Sequence, residues 1–241
     1  MSAFGWGLLA SSSLLIGAVI VLIRPPGQRT IALVMAFGAG VLISAVAYDL
    51  VEDAFEESNA VTLIAGLAAG ALTFYFGDLL IDRRGGRDRK SSTGAQEGGG
   101  AAAIALGTVL DGVPESVVLG TTLVAGSGVS WAMLAAVFLS NLPEAMAASS
   151  GLLKGGTRPS RVMLLWAATT LVSGIAAGLG YVLLGGASGG AVALVQAFAA
   201  GALLTMLTDT MIPEAYKHSG PATGLVTVLG FTVAFGISTL A

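Results

Sequence analysis

Residues 30–50 read TIALVMAFGAGVLISAVAYDL: twenty-one residues whose one charged side chain, Asp49, sits next to the end. A run of about twenty apolar residues is the length of helix that crosses a bilayer's hydrocarbon core. Working outward, comparable stretches recur at 6–23, 61–81, 101–124, 129–153, 162–184, 190–213 and 222–240, which makes eight with the first. Only 10% of the 241 residues are charged, against roughly 25% in soluble domains, too few to cover a water-exposed surface. Nineteen of the 35 glycines are scattered through these apolar runs, where small residues let helices approach closely in lipid. The sequence therefore predicts an all-α polytopic membrane protein, one transmembrane domain over 1–241. The stretch 6–23 has no basic start and is read as a retained helix, not a cleaved leader.

The charges orient it. Arg24 and Arg29 follow the first span, and Arg83, Arg84, Arg87, Arg89 and Lys90 the third. Lys154, Arg158 and Arg161 follow the fifth, and Lys217 the seventh. All eleven bases thus fall on odd-numbered connections, whereas the connection after the second span carries Glu52, Asp53, Glu56 and Glu57. The positive-inside rule places the odd side in the cytoplasm and both termini outside it, in an integral plasma (inner) membrane. The one long connection, 82–100 (DRRGGRDRKSSTGAQEGGG), has the composition of a flexible cytoplasmic loop.

Two internal repeats appear. GTVLDGVPESVVLGTTL (107–123) aligns with AVFLSNLPEAMAASSGL (136–152), pairing Pro114 with Pro143 and Glu115 with Glu144. Phe37–Ala54 aligns with Phe198–Ala215, an offset of 161 residues, pairing Ala39 with Ala200 and Gly40 with Gly201. The first relates spans 4 and 5 and the second spans 2 and 7. Both separations are odd, so the repeats are inverted in the membrane, an arrangement common in secondary transporters.

Ionisable residues inside a span are costly and point to function. Asp111, Glu115 and Glu144 lie well within spans 4 and 5, and Asp209 is placed inside span 7. Asp111 and Glu115 are four apart and share a helix face, as do Ser140 and Glu144, with Asn141 beside them. Each proline preceding a glutamate lacks the N–H that would bond four residues back, freeing the Leu110 and Leu139 carbonyls and favouring a kink. Three carboxylates with no base inside the membrane must bind a cation, hold protons or border water. Oxygen atoms at one depth suit a cation cage. The lone histidine, His218, is placed in a short polar loop, and the acids at 52–57 are read as screened by water. There is no cysteine and no GxxxxGK[ST] loop, so thiolate chemistry and nucleotide drive are not expected.

At its proline–glutamate motifs the chain resembles the ZIP family of divalent-metal transporters (Zrt/Irt-like proteins). DGVPES in span 4 stands where the family has His-Asn-x-Pro-Glu-Gly. SNLPEA in span 5 matches a His- or Gln-led Pro-Glu-Gly pattern, and TDTMIPEA in span 7 resembles His-Glu-x-x-Pro-Glu-Ala. GVLISAVAYDLVEDA in span 2 is also similar to the family's second helix. The resemblance implies a 3+2+3 arrangement of eight spans with inverted repeats and a homodimer. It implies a metal site of Asp111, Glu115, Ser140, Asn141 and Glu144, and an exit near Asp209. The cargo it implies is a divalent cation, Zn²⁺, Fe²⁺, Mn²⁺ or Mg²⁺, moved toward the cytoplasm with no further cofactor. Membrane lipid is the other partner, and neither nucleic acid nor an enzymatic reaction is expected.

The departures are specific. The family's span-4 histidine is Asp111 and its asparagine Gly112; the leading ligand of span 5 is Ser140; the His-Glu pair of span 7 is Asp209-Thr210. A glutamate that some members carry in span 6 aligns with Ser173. Every nitrogen ligand is gone, and an all-oxygen set favours Mg²⁺, Mn²⁺ or Fe²⁺ over Zn²⁺. The rival readings are a proton-coupled carrier of another solute and a non-transporting relative with a vestigial site.

The orientation is testable directly. A reporter fused after Ala241 is expected outside the cytoplasm and one inserted within 85–98 inside it. Both on one side would mean that a span has been miscounted.

Overall fold

The structure, a computed structural model, describes residues 2–86, 100–124 and 130–240. Its long helices are α1 (Ala3–Ile23), α2 (Gln28–Glu56), α3 (Ala60–Arg84), α4 (Gly100–Thr122), α5 (Trp131–Lys154), α6 (Pro159–Leu184), α7 (Gly189–Ser219) and α8 (Ala222–Leu240). No strand occurs among the described residues. Seven of the described helices are long and apolar enough to cross a membrane, and α4 is a further helix of 23 residues. The chain is an integral membrane protein. Most of the connection expected over 82–100 lies outside the described residues; Asp82–Gly86 continue α3 as a π-helical turn.

Local chemistry sets the helix ends. The Asn59 side chain accepts from the Val61 and Thr62 amides at 3.0 and 3.1 Å, and Ser130 caps α5 through the Met133 amide. Pro159 occupies the first turn of α6, where its missing N–H costs nothing. Gly220, at φ +60°, turns the chain out of α7. Two helices outrun their apolar cores: α2 continues to Glu56 and α7 to Ser219. Hydropathy reports the thickness of hydrocarbon, not where helical hydrogen bonding stops. His218 accordingly lies in the last turn of α7, not in a loop, and its side chain is only 12% exposed.

The helices pack in a definite pattern. α2 lies along α8 and α3 along α7, α6 contacts α1 and α4, and α5 is inserted against α1 and α2. The crossings are close because glycine faces backbone. A Cβ on Gly40 of α2 would collide with the Thr227 carbonyl of α8, and one on Gly230 with the Phe37 carbonyl. The crossing of α3 and α7 is built alike: Gly201 meets the Leu67 carbonyl, and Gly70 meets the Phe198 carbonyl. Phe37 and Phe198, like Gly40 and Gly201, are partners in the 161-residue repeat.

The same offset recurs in the backbone. α2 widens into a π segment at Val46–Glu52, and α7 does so at Leu207–Met211, so both begin at equivalent positions. A π turn displaces the side chains that follow it around the helix and frequently marks a functional position.

Gly201→Val should lower the stability of the detergent-solubilised protein by about 1–3 kcal/mol, the usual cost of overpacking. Gly224→Val in α8, where an added Cβ meets nothing within 4 Å, should stay within about 0.5 kcal/mol of wild type. Thermal unfolding of both checks this, and equal losses would refute the close-crossing account.

Candidate functional site

The interior acids sit where their helix faces put them. Asp111 and Glu115 of α4 retain 2% of their exposure and Glu144 of α5 retains 4%. Ser140 and Asn141 are buried as well. The helices meet through a hydrogen bond: Ser140 Oγ donates to Glu115 Oε1 at 3.4 Å and to the Val137 carbonyl at 3.1 Å. Helical structure runs unbroken through Pro114 and Pro143. The Leu139 carbonyl that Pro143 frees lies against α2, 2.8 Å from where a Cβ on Gly38 would stand. A glycine there admits the carbonyl without a clash.

Two neighbours complete the surroundings. Ser173 of α6 is buried, and its Oγ stands 3.4 Å from the position of a Cβ on Gly112. The α6 residue aligned with a family glutamate thus faces the α4 residue aligned with a family asparagine. Thr108, also buried, was not singled out from sequence. It lies three residues before Asp111 and seven before Glu115, on the same face of α4, so helical spacing carried the signal.

Asp209 is placed differently. It lies in the π segment of α7 with its side chain exposed on the helix bundle, unlike the five buried residues of α4 and α5. Near the acidic end of α2, Asp49 accepts from Ser130 Oγ at 3.0 Å, tying α2 to the start of α5. At the opposite end of α7, Glu214 lies 3.2 Å from His218 Nε2 and 3.8 Å from Lys217 Nζ.

Among the described residues no group of three or more His, Asp or Glu side chains is gathered closely enough to hold an ion. What the structure assembles is a buried oxygen-rich contact between α4 and α5, bordered by Ser173. Such a contact can bind a cation if its carboxylates turn toward it, or carry protons. It offers no nitrogen or sulfur ligand.

No family model matches the chain. It is 26% identical over 186 residues to an Arabidopsis thaliana protein named "Putative zinc transporter". The matched region covers 76% of this chain but 30% of that protein's length.

Proposed function

We propose that this chain is a ZIP-like secondary transporter that moves divalent metal ions toward the cytoplasm through the contact of α4 and α5. The observation carrying the reading is the burial of Asp111, Glu115 and Glu144 in a bundle whose bases all follow odd-numbered helices. Burying carboxylates in a membrane-spanning bundle is costly, and a divalent cation offsets that cost. Asp111, Glu115, Ser140, Asn141 and Glu144 are its proposed ligands, with Asp209 toward the exit.

The pattern of contacts supports an inverted 3+2+3 arrangement of eight spans. Exchanging α1 with α6, α2 with α7, α3 with α8 and α4 with α5 converts the α2–α8 contact into α7–α3. The same exchange converts α1–α5 into α6–α4, and all four contacts are present. The matched π segments and glycine crossings follow this exchange too.

The distant relative's name speaks for zinc as its own cargo; the ligands here are all oxygen, which speaks for harder ions such as Mn²⁺ or Mg²⁺. The lack of three gathered acids favours, as a second reading, a carrier that uses these carboxylates for protons.

Glu115→Ala or Glu144→Ala should reduce metal uptake into proteoliposomes at saturating metal by at least about tenfold, the scale of losing one dehydrated charged ligand. Changing Glu52 should alter it less than about twofold, because water screens that exposed acid. Equal effects would place the decisive charges at the surface.

Asp111→His, alone or with Gly112→Asn, should raise the Zn²⁺/Mg²⁺ affinity ratio, because imidazole ligates zinc well and magnesium poorly. The gain should shrink at mildly acidic pH, where histidine is protonated and cannot ligate. Competition titrations at both pH values check it. If wild type binds no divalent cation and neither variant gains binding, α4 and α5 hold no metal site, and uptake driven by a pH gradient becomes the decisive measurement.

A further inference from the structure

The acidic end of the bundle contains a cavity that the interior site does not use. It has a volume of about 350 Å³ and is lined by Asp53 and Glu56 at the end of α2, Glu57 in the following turn, and Gly189, Val192 and Gln196 of α7. Beside it, Ala54, Ala193 and Ala197 are fully buried and pack the end of α2 onto α7, so the walls are held by core contacts.

Gln196 is the informative residue. It is the one side chain capable of strong hydrogen bonding between Gly189 and Leu204. It is 94% buried, being 6% exposed, and among the described residues its amide has no hydrogen-bond partner. An amide in that state is completed by water or a ligand, and Gln196 lines this cavity. Its side chain, which carries a neutral amide acceptor, lines the same volume as the three acids. One of these, Glu57, lies against Gly189 at the N-terminus of α7, where the helix dipole favours its negative charge. Asp53 and Glu56 have no such compensation, and no Lys or Arg occurs in the connections on this side.

We propose that this cavity is a second cation site, separate from α4 and α5, which takes a divalent ion together with its water shell. The three acids are not gathered closely enough to surround a bare ion, so the ion is proposed to be held through its waters. Six waters need about 180 Å³ at about 30 Å³ each, so the cavity accepts a hydrated ion. Hard ions such as Mg²⁺ and Mn²⁺, which keep several waters when bound, fit best. On the orientation proposed above, the site faces away from the cytoplasm and concentrates ions at the entrance.

Mn²⁺ titration of the full chain in detergent, followed by the paramagnetic resonance of free Mn²⁺ at physiological ionic strength, tests this. Wild type should show a class of bound Mn²⁺ that survives Glu115→Gln with Glu144→Gln and is displaced by cobalt(III) hexaammine, whose fixed shell mimics a hydrated ion. Glu56→Gln and Gln196→Leu should each weaken this class at least about fivefold, the scale of losing one charge-assisted contact. Glu52→Gln, one residue from Asp53 but outside the cavity, should change it less than about twofold. Glu56 is exposed, so its variant tests the site even if Gln196→Leu impairs folding. If the interior double variant abolishes all binding, or if Glu52→Gln acts as strongly as Glu56→Gln, there is no second site. A wild type that shows this class but no interior class would instead leave this site standing and count against transport through α4 and α5.

Discussion

Hydrocarbon offers no hydrogen-bond partner, so every polar atom that enters a bilayer must find one within the protein. That constraint explains the helices first, since helical bonding satisfies the backbone within each segment. It also explains how the helices meet. Between segments equally apolar to lipid there is little hydrophobic gain, and close contact through small residues replaces it. The paired crossings at Gly40/Gly230 and Gly70/Gly201 bring backbone against backbone, where any larger side chain would force the helices apart. The threonines behave in the same way: Thr205, Thr208 and Thr210 of α7 bond back to carbonyls of their own helix at 2.9, 2.9 and 2.7 Å.

Departures from regular helix concentrate where polar chemistry does. The π segments of α2 and α7 contain Asp49 and Asp209, and the prolines of α4 and α5 directly precede Glu115 and Glu144. A proline leaves one carbonyl unbonded, and a π turn shifts the register of those that follow. At Gly38 of α2 the absence of a side chain leaves room for the Leu139 carbonyl to lie against the neighbouring helix.

Much of this was legible in the sequence, for identifiable reasons. Span positions follow from hydropathy because the bilayer is a fixed-thickness solvent, and the burial of Asp111, Glu115 and Glu144 follows from their place deep within spans. Helix ends were less legible: the last turns of α2 and α7 are polar, so hydropathy ended them early and left His218 in a loop. Asp209 shows the limit of depth as a guide, since depth does not fix which face of a helix looks inward. Thr108 was missed because a lone threonine in an apolar run carries no charge to attract notice. The cavity at Asp53 and Glu56 was illegible because its other wall, Gln196, is more than a hundred residues away in the chain.

The substitution of acid for histidine at position 111 alters charge as well as ligand softness. A family site with imidazole there would present two glutamates to a divalent ion and balance it. If Asp111, Glu115 and Glu144 hold the ion as proposed, three carboxylates face it, leaving one negative charge over. In a medium that penalises net charge, that excess is removed most simply by a proton on one carboxyl group. On that reading, release of the ion would leave the three acids facing one another, and entry of protons would offset their charge. On the proposed reading, metal transport and proton exchange are therefore not independent: the extra carboxylate ties one to the other. A site with a neutral imidazole in place of Asp111 would have no such excess, so the proposed charge balance turns on Asp111.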